Sequence, residues 1–292
     1  MKKIILSISG LFTIITIIII ASSYGRPQPR HDLIAALPTV NPTIVPTVIN
    51  TPTPSIVPTP TPMSFADQNK LYGPCTVLPV LMYHHIQPEV SAKADHQTSL
   101  TVDTAVFQKQ MAYLKAKNYH SISPIDLVNF FDHGINLPPR SIMLTFDDAY
   151  NDFATNAAPI LQQNDFKATS FVPTGLVDNP DYMTWSTIKS LAGTGLFTFA
   201  NHTWSHHSMN ASLAVIQKEI STATTQLADN GLSSNIFAYP YGTTSQTVVN
   251  YLSSNKFELA FTTRHGLIMC KKQRLTLPRL RIGNAPLSSY GL

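Results

Sequence analysis

The sequence has few charged residues and no concentrated block of either sign. Asp, Glu, Lys and Arg make up only 12% of the 292 residues, and the net charge is +4. The basic residues are scattered, and no stripe combines basic with aromatic side chains. A nucleic-acid-binding protein needs such a stripe, so we expect no nucleic-acid partner. We interpret the basic balance as that of an ordinary protein surface, with mild attraction to anionic cell-wall polymers as the alternative.

Cysteine is nearly absent, because the chain contains only Cys75 and Cys270. The two residues lie near opposite ends of the region that we assign below to a single domain. In an oxidising compartment they can form one disulfide that joins those ends, and two unpaired thiols are the alternative.

The N-terminal segment lacks charge apart from Lys2 and Lys3. An apolar run over residues 4–23 follows, and about twenty residues at ~1.5 Å each match the ~30 Å hydrocarbon layer of a membrane. We predict a signal anchor or a signal peptide over residues 1–25, and the length favours the anchor. Because no second apolar span follows, we expect the rest of the chain outside the cytoplasm, held at the cell membrane, or secreted if the segment is cleaved.

Residues 33–63 also contain no charged side chain, and proline and threonine recur among them. Such a composition favours an extended polyproline II spacer, and we predict a linker over residues 26–65. The remaining residues, 66–292, contain no internal repeat and no second linker. Their number suffices for one domain with its own core. Nothing in the sequence specifies an oligomeric state.

Strand-like and helix-like segments alternate along this domain, which predicts an α/β fold with a parallel sheet. Apolar runs typical of buried strands cover residues 77–83, 141–146, 167–173, 196–200, 235–239 and 259–263. Polar groups follow several of these runs directly, at His84, Asp147, Asp148, His202 and Tyr241. In a parallel barrel the carboxyl ends of the strands form one mouth, where active sites lie.

Two short strings of this domain can together supply a metal site. Asp147 and Asp148 follow one strand, and because neighbouring residues point in different directions, one can bind a metal while the other serves as a base. His202 and His206 are four residues apart, which stacks two imidazoles on one face if a helical turn begins there. Two histidines and a carboxylate suit a catalytic divalent metal with one open position. Each string alone is weak, since an Asp pair is often a helix cap.

From about residue 79 to residue 281 the sequence resembles the polysaccharide deacetylases of carbohydrate esterase family four, the NodB-homology domains. The family motif T-F-D-D-G is present as residues 145–149, with Ala149 in place of glycine. The motif H-[ST]-x-x-H is complete at residues 202–206, and R-x-P-Y-G is matched by residues 238–242 without its arginine. The resemblance implies a distorted (β/α)7 barrel.

The resemblance also implies roles for the residues of these motifs. Asp148, His202 and His206 would bind one divalent metal ion, and Asp147 would be the base that deprotonates the attacking water. The backbone N–H of Tyr241 would hold the oxyanion. Zn²⁺ suits this ligand set, and Co²⁺, Ni²⁺ or Fe²⁺ also fit it.

The sequence departs from the family pattern in two places. No C-terminal L-x-H motif supplies an acid, but residues 81–84 resemble the circularly permuted branch that includes exported poly-N-acetylglucosamine deacetylases. We therefore assign His84 as the acid, with His85 structural and His265 on the surface. The arginine missing at position 238 would orient Asp147, and Arg279 can pair with Asp147 from a terminal strand; a surface arginine is the alternative.

These residues predict a metal-dependent hydrolase that removes N-acetyl groups from an N-acetylated polysaccharide containing N-acetylglucosamine. Poly-N-acetylglucosamine and peptidoglycan are the leading substrates, and the permuted layout favours the first. An O-acetyl glycan esterase is one alternative, since metal, base and oxyanion donor serve both reactions. A glycan-binding protein with impaired catalysis is the other, because of Ala149 and the missing arginine.

Overall fold

The computed structural model of the protein describes residues 63–232 and 235–292. The predicted signal segment and almost all of the predicted linker lie outside these residues. The predicted division of the chain at residues 25 and 65 therefore stays a prediction.

The predicted localisation at a cell membrane, with the membrane as a partner of the N-terminal segment, is overturned. A membrane span needs about twenty mainly apolar residues. In the described part of the chain no helix combines that length with that apolarity. The apolar run on which the prediction rested lies outside the described residues.

Strands and helices alternate along the described residues. The strands are β1 (Cys75–Val77), β2 (Val80–Tyr83), β3 (His85–Ile86), β4 (Thr101–Val102), β5 (His120–Ser121), β6 (Ser141–Phe146), β7 (Ala168–Val172), β8 (Phe197–Asn201), β9 (Ile236–Ala238), β10 (Leu259–His265), β11 (Ile268–Cys270) and β12 (Leu277–Arg281). The α-helices are α1 (Phe65–Tyr72), α2 (Glu89–Ala94), α3 (Thr104–Ala116), α4 (Pro124–His133), α5 (Ala158–Asn164), α6 (Trp185–Ala192), α7 (Leu213–Asp229) and α8 (Gln246–Ser254).

Seven parallel strands close into a barrel. Their order around it is β2, β6, β7, β8, β9, β10 and β12, and β12 pairs with β2 to complete the ring. The short strand β5 adds to the start of β6 from outside. The predicted (β/α)7 barrel is confirmed. Since every strand of the ring is parallel, all seven carboxyl ends meet at one mouth.

The burial of strands and helices follows from their apolar patterns. All six residues of β6 are buried, as expected for a parallel strand that is covered on both faces. Helix α7 buries Ile216, Ile220, Ala223 and Leu227, which repeat with helical spacing and form one apolar stripe. Such a stripe keeps the helix against the sheet while its polar side faces solvent.

A small antiparallel sheet lies next to the amino end of β2, away from the mouth. Strands β1 and β11 pair there, and Cys75 and Cys270 occupy directly opposed positions and form a disulfide. The apolar run 77–83, which the pattern predicts as one strand, is divided between β1 and β2. Pro79 lies at the break, and its missing N–H prevents a continuous ladder.

Candidate active site

The acidic pair lies where β6 ends at the mouth. Asp147 is 3% exposed and Asp148 is 6% exposed. The backbone turns sharply there, because Asp148 and Ala149 have positive φ angles of 74° and 57°. A left-handed conformation at a residue with a Cβ costs roughly 1–3 kcal/mol, which explains why the family motif has glycine at the position of Ala149. The turn separates the two carboxylates.

Arg279 holds Asp147 from β12, which is separated from β6 in the ring only by β2. This arginine lies on β12 and is fully buried, and its two terminal nitrogens are 2.7 and 2.6 Å from the two carboxylate oxygens of Asp147. Its Nε donates to the carbonyl of Thr262, and Nη1 also donates to the hydroxyl of Thr145. The guanidinium is therefore fixed on several sides in a bidentate pair.

This ion pair sets the charge of Asp147. Burial alone would raise the pKa of the carboxyl group, but the charge and hydrogen bonds of Arg279 outweigh it and hold the pKa below its usual value. The carboxylate is thus ionised at neutral pH although it is buried. It is also oriented, since both of its oxygens are engaged with one rigid group.

His84 lies at the end of β2, beside the same carboxylate. Its Nε2 is 4.0 Å from Oδ2 of Asp147, and its side chain is 13% exposed. Burial lowers the pKa of His84, although the charges of Asp147 and Asp148 act in the opposite direction. The structure thus brings an imidazole and the carboxylate of Asp147 to one point of the mouth.

The two histidines of the second string lie on a loop that follows β8. The expected helical turn is absent, because Thr203 and His206 have positive φ angles of 69° and 57° and residues 202–207 are irregular. The loop nevertheless brings the imidazole rings of His202 and His206 together, with centroids 4.9 Å apart. The expected juxtaposition is therefore reached through left-handed backbone rather than through a helix.

Side chains from α7 and from β8 hold this histidine loop. Glu219 of α7 is 5% exposed and accepts hydrogen bonds from both the backbone N–H and the hydroxyl of Ser205, each at 2.8 Å. The side-chain oxygen Oδ1 of Asn201 accepts from the backbone N–H of Thr203, and its side-chain Nδ2 donates to the carbonyl of Ile220. Sequence reasoning missed Glu219. The sequence did contain a signal for it, because Glu219 is the one acidic residue at a buried position among the apolar residues of α7.

Asp148, His202 and His206 form a candidate metal site, since one ligand atom from each lies within 4.8 Å of the others. Oδ1 of Asp148 is 3.3 Å from Nε2 of His202 and 3.1 Å from Nε2 of His206. This oxygen is buried and has no hydrogen-bond partner among the described residues. Two imidazole nitrogens around one unpartnered carboxylate oxygen fit a divalent cation.

The orientation of the imidazoles supports the same fit. Nδ1 of His202 donates to the carbonyl of Ala238 at 2.8 Å, so its proton lies on Nδ1 and the lone pair of Nε2 faces Asp148. Nδ1 of His206 is 3.2 Å from the hydroxyl of Tyr241. Partners of this kind fix the ring orientation of metal-binding histidines.

Two tyrosines that the sequence reasoning did not assign lie beside Asp148. Burial and the nearby charge of Asp148 raise the pKa values of both Tyr150 and Tyr182, so both stay neutral. Their rings are 5.2 Å apart, and a β-bridge joins the two residues. The signal for Tyr150 was its place in the same string as the acidic pair. Tyr182 is distant in sequence and carried no signal.

The remaining candidate residues are distributed as follows. Tyr241 lies in the turn after β9 with a φ of 58°, and its side chain is well exposed. His85 is buried, and its Nδ1 is 2.5 Å from Asp152. His265 lies at the exposed end of β10. The catalytic and metal-binding roles of the seven candidate residues stay predictions at this point.

Comparison with known proteins matches this region. The family model described as polysaccharide deacetylase matches residues 134–260. That stretch contains the acidic pair and both histidines, but neither His84 nor Arg279. A solved structure, Streptococcus pyogenes deacetylase PplD in complex with acetate, is 30% identical with a TM-score of 0.65, and the match covers 71% of this chain and 92% of that one.

Two further relatives are similar in sequence. One is the poly-beta-1,6-N-acetyl-D-glucosamine N-deacetylase of Escherichia coli strain K12, which is 24% identical over 70% of this chain. The chain spans only 36% of the length of that relative. The other is the poly-beta-1,6-N-acetyl-D-glucosamine N-deacetylase of Staphylococcus aureus strain MRSA252, 26% identical over 63% of this chain and 68% of that protein.

The closed barrel with this site at its mouth, together with these matches, defines the class of protein by its fold, a (β/α)7 barrel like that of the solved deacetylase structure. The chain belongs to the polysaccharide deacetylase family. The resemblance expected from the sequence motifs is therefore confirmed.

Proposed function

We propose that this protein is a metal-dependent hydrolase that removes N-acetyl groups from a polysaccharide containing N-acetylglucosamine. One observation carries the proposal: at one mouth, Asp148 faces two imidazoles while Asp147 is held ionised by Arg279. A ligand set and a separate, oriented base are what the hydrolysis of an unreactive amide requires. A module that only bound glycans would need neither.

Asp148, His202 and His206 would hold the metal. When bound, a divalent ion polarises the amide carbonyl and makes a water more acidic. Two imidazoles and one carboxylate suit Zn²⁺, with Co²⁺, Ni²⁺ and Fe²⁺ as alternatives that metal analysis of the purified protein distinguishes.

Asp147 would accept the proton of the attacking water. Arg279 serves this role in two ways, because it keeps the carboxylate ionised and fixes its direction. The low pKa makes Asp147 a weak base, so it depends on a water that has already become acidic. The ion pair therefore fixes the position of the Asp147 carboxylate but lowers its basicity.

His84 would donate a proton to the nitrogen that leaves as the amine. Burial lowers the pKa of His84, so the imidazole is neutral at pH 7 and would first have to take up a proton, for which Asp147 at 4.0 Å would be the source; the same lowering makes that proton easier to give up. The backbone N–H of Tyr241 would stabilise the oxyanion, and such a donor contributes typically ~3 kcal/mol. The proposed reaction thus uses a base directly after β6, an acid directly after β2 and a donor after β9.

For the substrate we propose poly-N-acetylglucosamine. Two of the relatives are named for the β-1,6-linked form of this polymer, and the position of His84 before the acidic pair agrees with their branch. Peptidoglycan and O-acetylated glycans are the other candidate substrates, and we treat them as arms of the test.

The test measures acetate release by the purified full-length chain from β-1,6-linked N-acetylglucosamine oligomers, peptidoglycan fragments and an O-acetylated glycan. We expect release from the first, loss of release after chelation with recovery on adding Zn²⁺, and loss in Asp147→Asn. Faster release from either other substrate would move the assignment to that substrate. Release that survives both chelation and Asp147→Asn would refute the mechanism, and no release from any substrate would favour a binding role.

A further inference from the structure

A second polar cavity lies beside the active site. Its volume is about 480 Å³, within the range that small-molecule ligands occupy. It lies between the segment that follows His84 and the segment that follows Asp148. The lining residues are His85, Gln87, Asp95, Gln97, Asn151, Asp152, Thr155 and Asp181.

The charge of this cavity is opposite to that of the chain. Although the net charge of the chain is +4, the lining includes three carboxylates and neither lysine nor arginine. Asp95 and Asp181 form no ion pair with any described residue, and both are exposed at the rim. The cavity therefore has uncompensated negative charge that favours a cation.

A buried histidine adds an independent feature of this cavity. The side chain of His85 is only 4% exposed, and its Nε2 has no hydrogen-bond partner among the described residues. Nδ1 is 2.5 Å from Asp152, and a carboxylate can only accept, so the proton of the neutral ring lies on Nδ1. Nε2 is then an acceptor. A buried acceptor without a partner is costly unless a ligand supplies a donor.

The ring of His85 is also fixed on its face. Tyr150 stacks on it with centroids 3.6 Å apart, and Tyr150 in turn lies beside Asp148 and Tyr182. One aromatic side chain thus stands between the cavity and the candidate metal site.

The cavity therefore offers carboxylate and imidazole acceptors and selects a ligand that is positively charged and rich in donors. Removal of an N-acetyl group produces such a ligand, because a neutral amide becomes an ammonium group on a sugar that also carries hydroxyls. We propose that this cavity binds a glucosamine unit of the polysaccharide that has already been deacetylated. This inference rests on the proposed function, and it implies that partly deacetylated chains bind more tightly than fully acetylated ones.

The test uses two trisaccharides that contain no N-acetyl group and so cannot be substrates. One is the β-1,6-linked glucosamine trimer, with three amino groups, and the other is the β-1,6-linked glucose trimer, which is neutral. We expect the metal-loaded full-length protein to bind the glucosamine trimer at least tenfold more tightly by calorimetry. The double variant Asp95→Asn/Asp181→Asn should lose this preference.

A matched control is available in Asp165→Asn/Asp229→Asn. Asp165 has a positive φ like Asp181, and Asp229 ends a helix as Asp95 follows one, but both lie outside the cavity. This control removes the same charge and should keep the preference. Equal binding of the two trimers, or an equal loss in both double variants, would overturn the proposal. Displacement of the glucosamine trimer by Ca²⁺ at micromolar concentration would also overturn it, in favour of a simple cation site.

The outcome is separable from that of the proposed function. Acetate release tests the reaction and uses acetylated oligomers, whereas the trimers test the cavity without turnover. If the protein prefers the glucosamine trimer through Asp95 and Asp181 but releases no acetate, the proposal for the cavity stands and the proposed hydrolase activity is refuted. If the protein releases acetate but does not prefer the glucosamine trimer, the hydrolase activity stands and the proposed glucosamine binding in the cavity is refuted.

Discussion

The two sides of the active site are built in different ways. On one side, Asp147 directly follows strand β6, Arg279 lies on strand β12, and their ion pair is almost fully buried. On the other side, His202 and His206 lie on a loop with left-handed residues, held by neutral and acidic side chains of β8 and α7. The first side depends on charge inside the barrel and the second on hydrogen bonds around it.

This difference teaches where each side is vulnerable. A buried ion pair that loses one partner leaves a charge without solvent, which is strongly destabilising. A loop that loses one hydrogen bond shifts its ligands but leaves no buried charge. We call Asp147 with Arg279 the strand side, and His202 with His206 and their supporting residues the loop side. We therefore expect changes on the strand side to affect both folding and catalysis, and changes on the loop side to affect mainly metal affinity.

The largest effect is expected from Arg279→Ala. The change leaves Asp147 buried and unpaired, which should cost roughly 3–5 kcal/mol of unfolding free energy. It should also lower kcat by at least ~100-fold, because the carboxylate is no longer held in direction. Urea unfolding and acetate release measure the two effects.

Arg281→Ala is the matched control for this variant, since Arg281 lies on the same strand but is exposed and donates to the carbonyl of Ser99. We expect changes below about 0.5 kcal/mol, as for ordinary surface positions. Equal effects of the two substitutions would show that the ion pair has no special part in the site.

A second effect of the ion pair is a dependence of stability on pH. Because the pKa of Asp147 is lowered in the folded protein, its contribution is fully present above the usual aspartate pKa of ~4 and is lost as pH falls through the lower folded pKa. In the presence of a chelator, the stability difference between wild type and Asp147→Asn should be constant from pH 7 to pH 5 and shrink below ~4. A difference that already shrinks between pH 7 and pH 5 contradicts this assignment.

The strand side was largely predictable from sequence. The apolar run 141–146 places the acidic pair at a strand end, and the alternation of strands and helices predicts the barrel. Arg279 was a candidate because the family arginine is missing at position 238 and residues 277–282 predict a terminal strand, although its contact with Asp147 needed the structure. Periodicity gives the ends of strands, but not which side chains meet inside a closed barrel.

The loop side was predictable only in part. The spacing of His202 and His206 indicated two nearby imidazoles, but the helical turn assumed for them is wrong because Thr203 and His206 adopt positive φ. Propensity gives little warning of left-handed threonine or histidine, which is imposed by contacts of the loop. Glu219 stabilises this loop from a helix fourteen residues beyond Ser205, a contact that no local pattern predicts.

A smaller effect is expected from Glu219→Gln. The amide can accept only one of the two hydrogen bonds from Ser205, so the loop should shift and metal affinity should fall by ~10-fold. Competition with a chromogenic chelator measures this loss. Asp229→Asn removes a carboxylate from the exposed end of the same helix and should leave affinity unchanged. If Glu219→Gln lowered the stability of the metal-free protein by several kcal/mol, the loop side would resemble the strand side.

The smallest effect is expected from Tyr241→Phe. The substitution removes the hydroxyl that lies 3.2 Å from Nδ1 of His206 but keeps the backbone N–H that is proposed to hold the oxyanion. Because the side chain is 66% exposed, water can replace the hydroxyl, and we expect metal affinity to fall only about threefold. Tyr251→Phe, at a partly buried tyrosine of α8, is the control. A loss in kcat with unchanged metal affinity would instead assign the hydroxyl to the reaction, and the orientation of His206 would then depend on the loop alone.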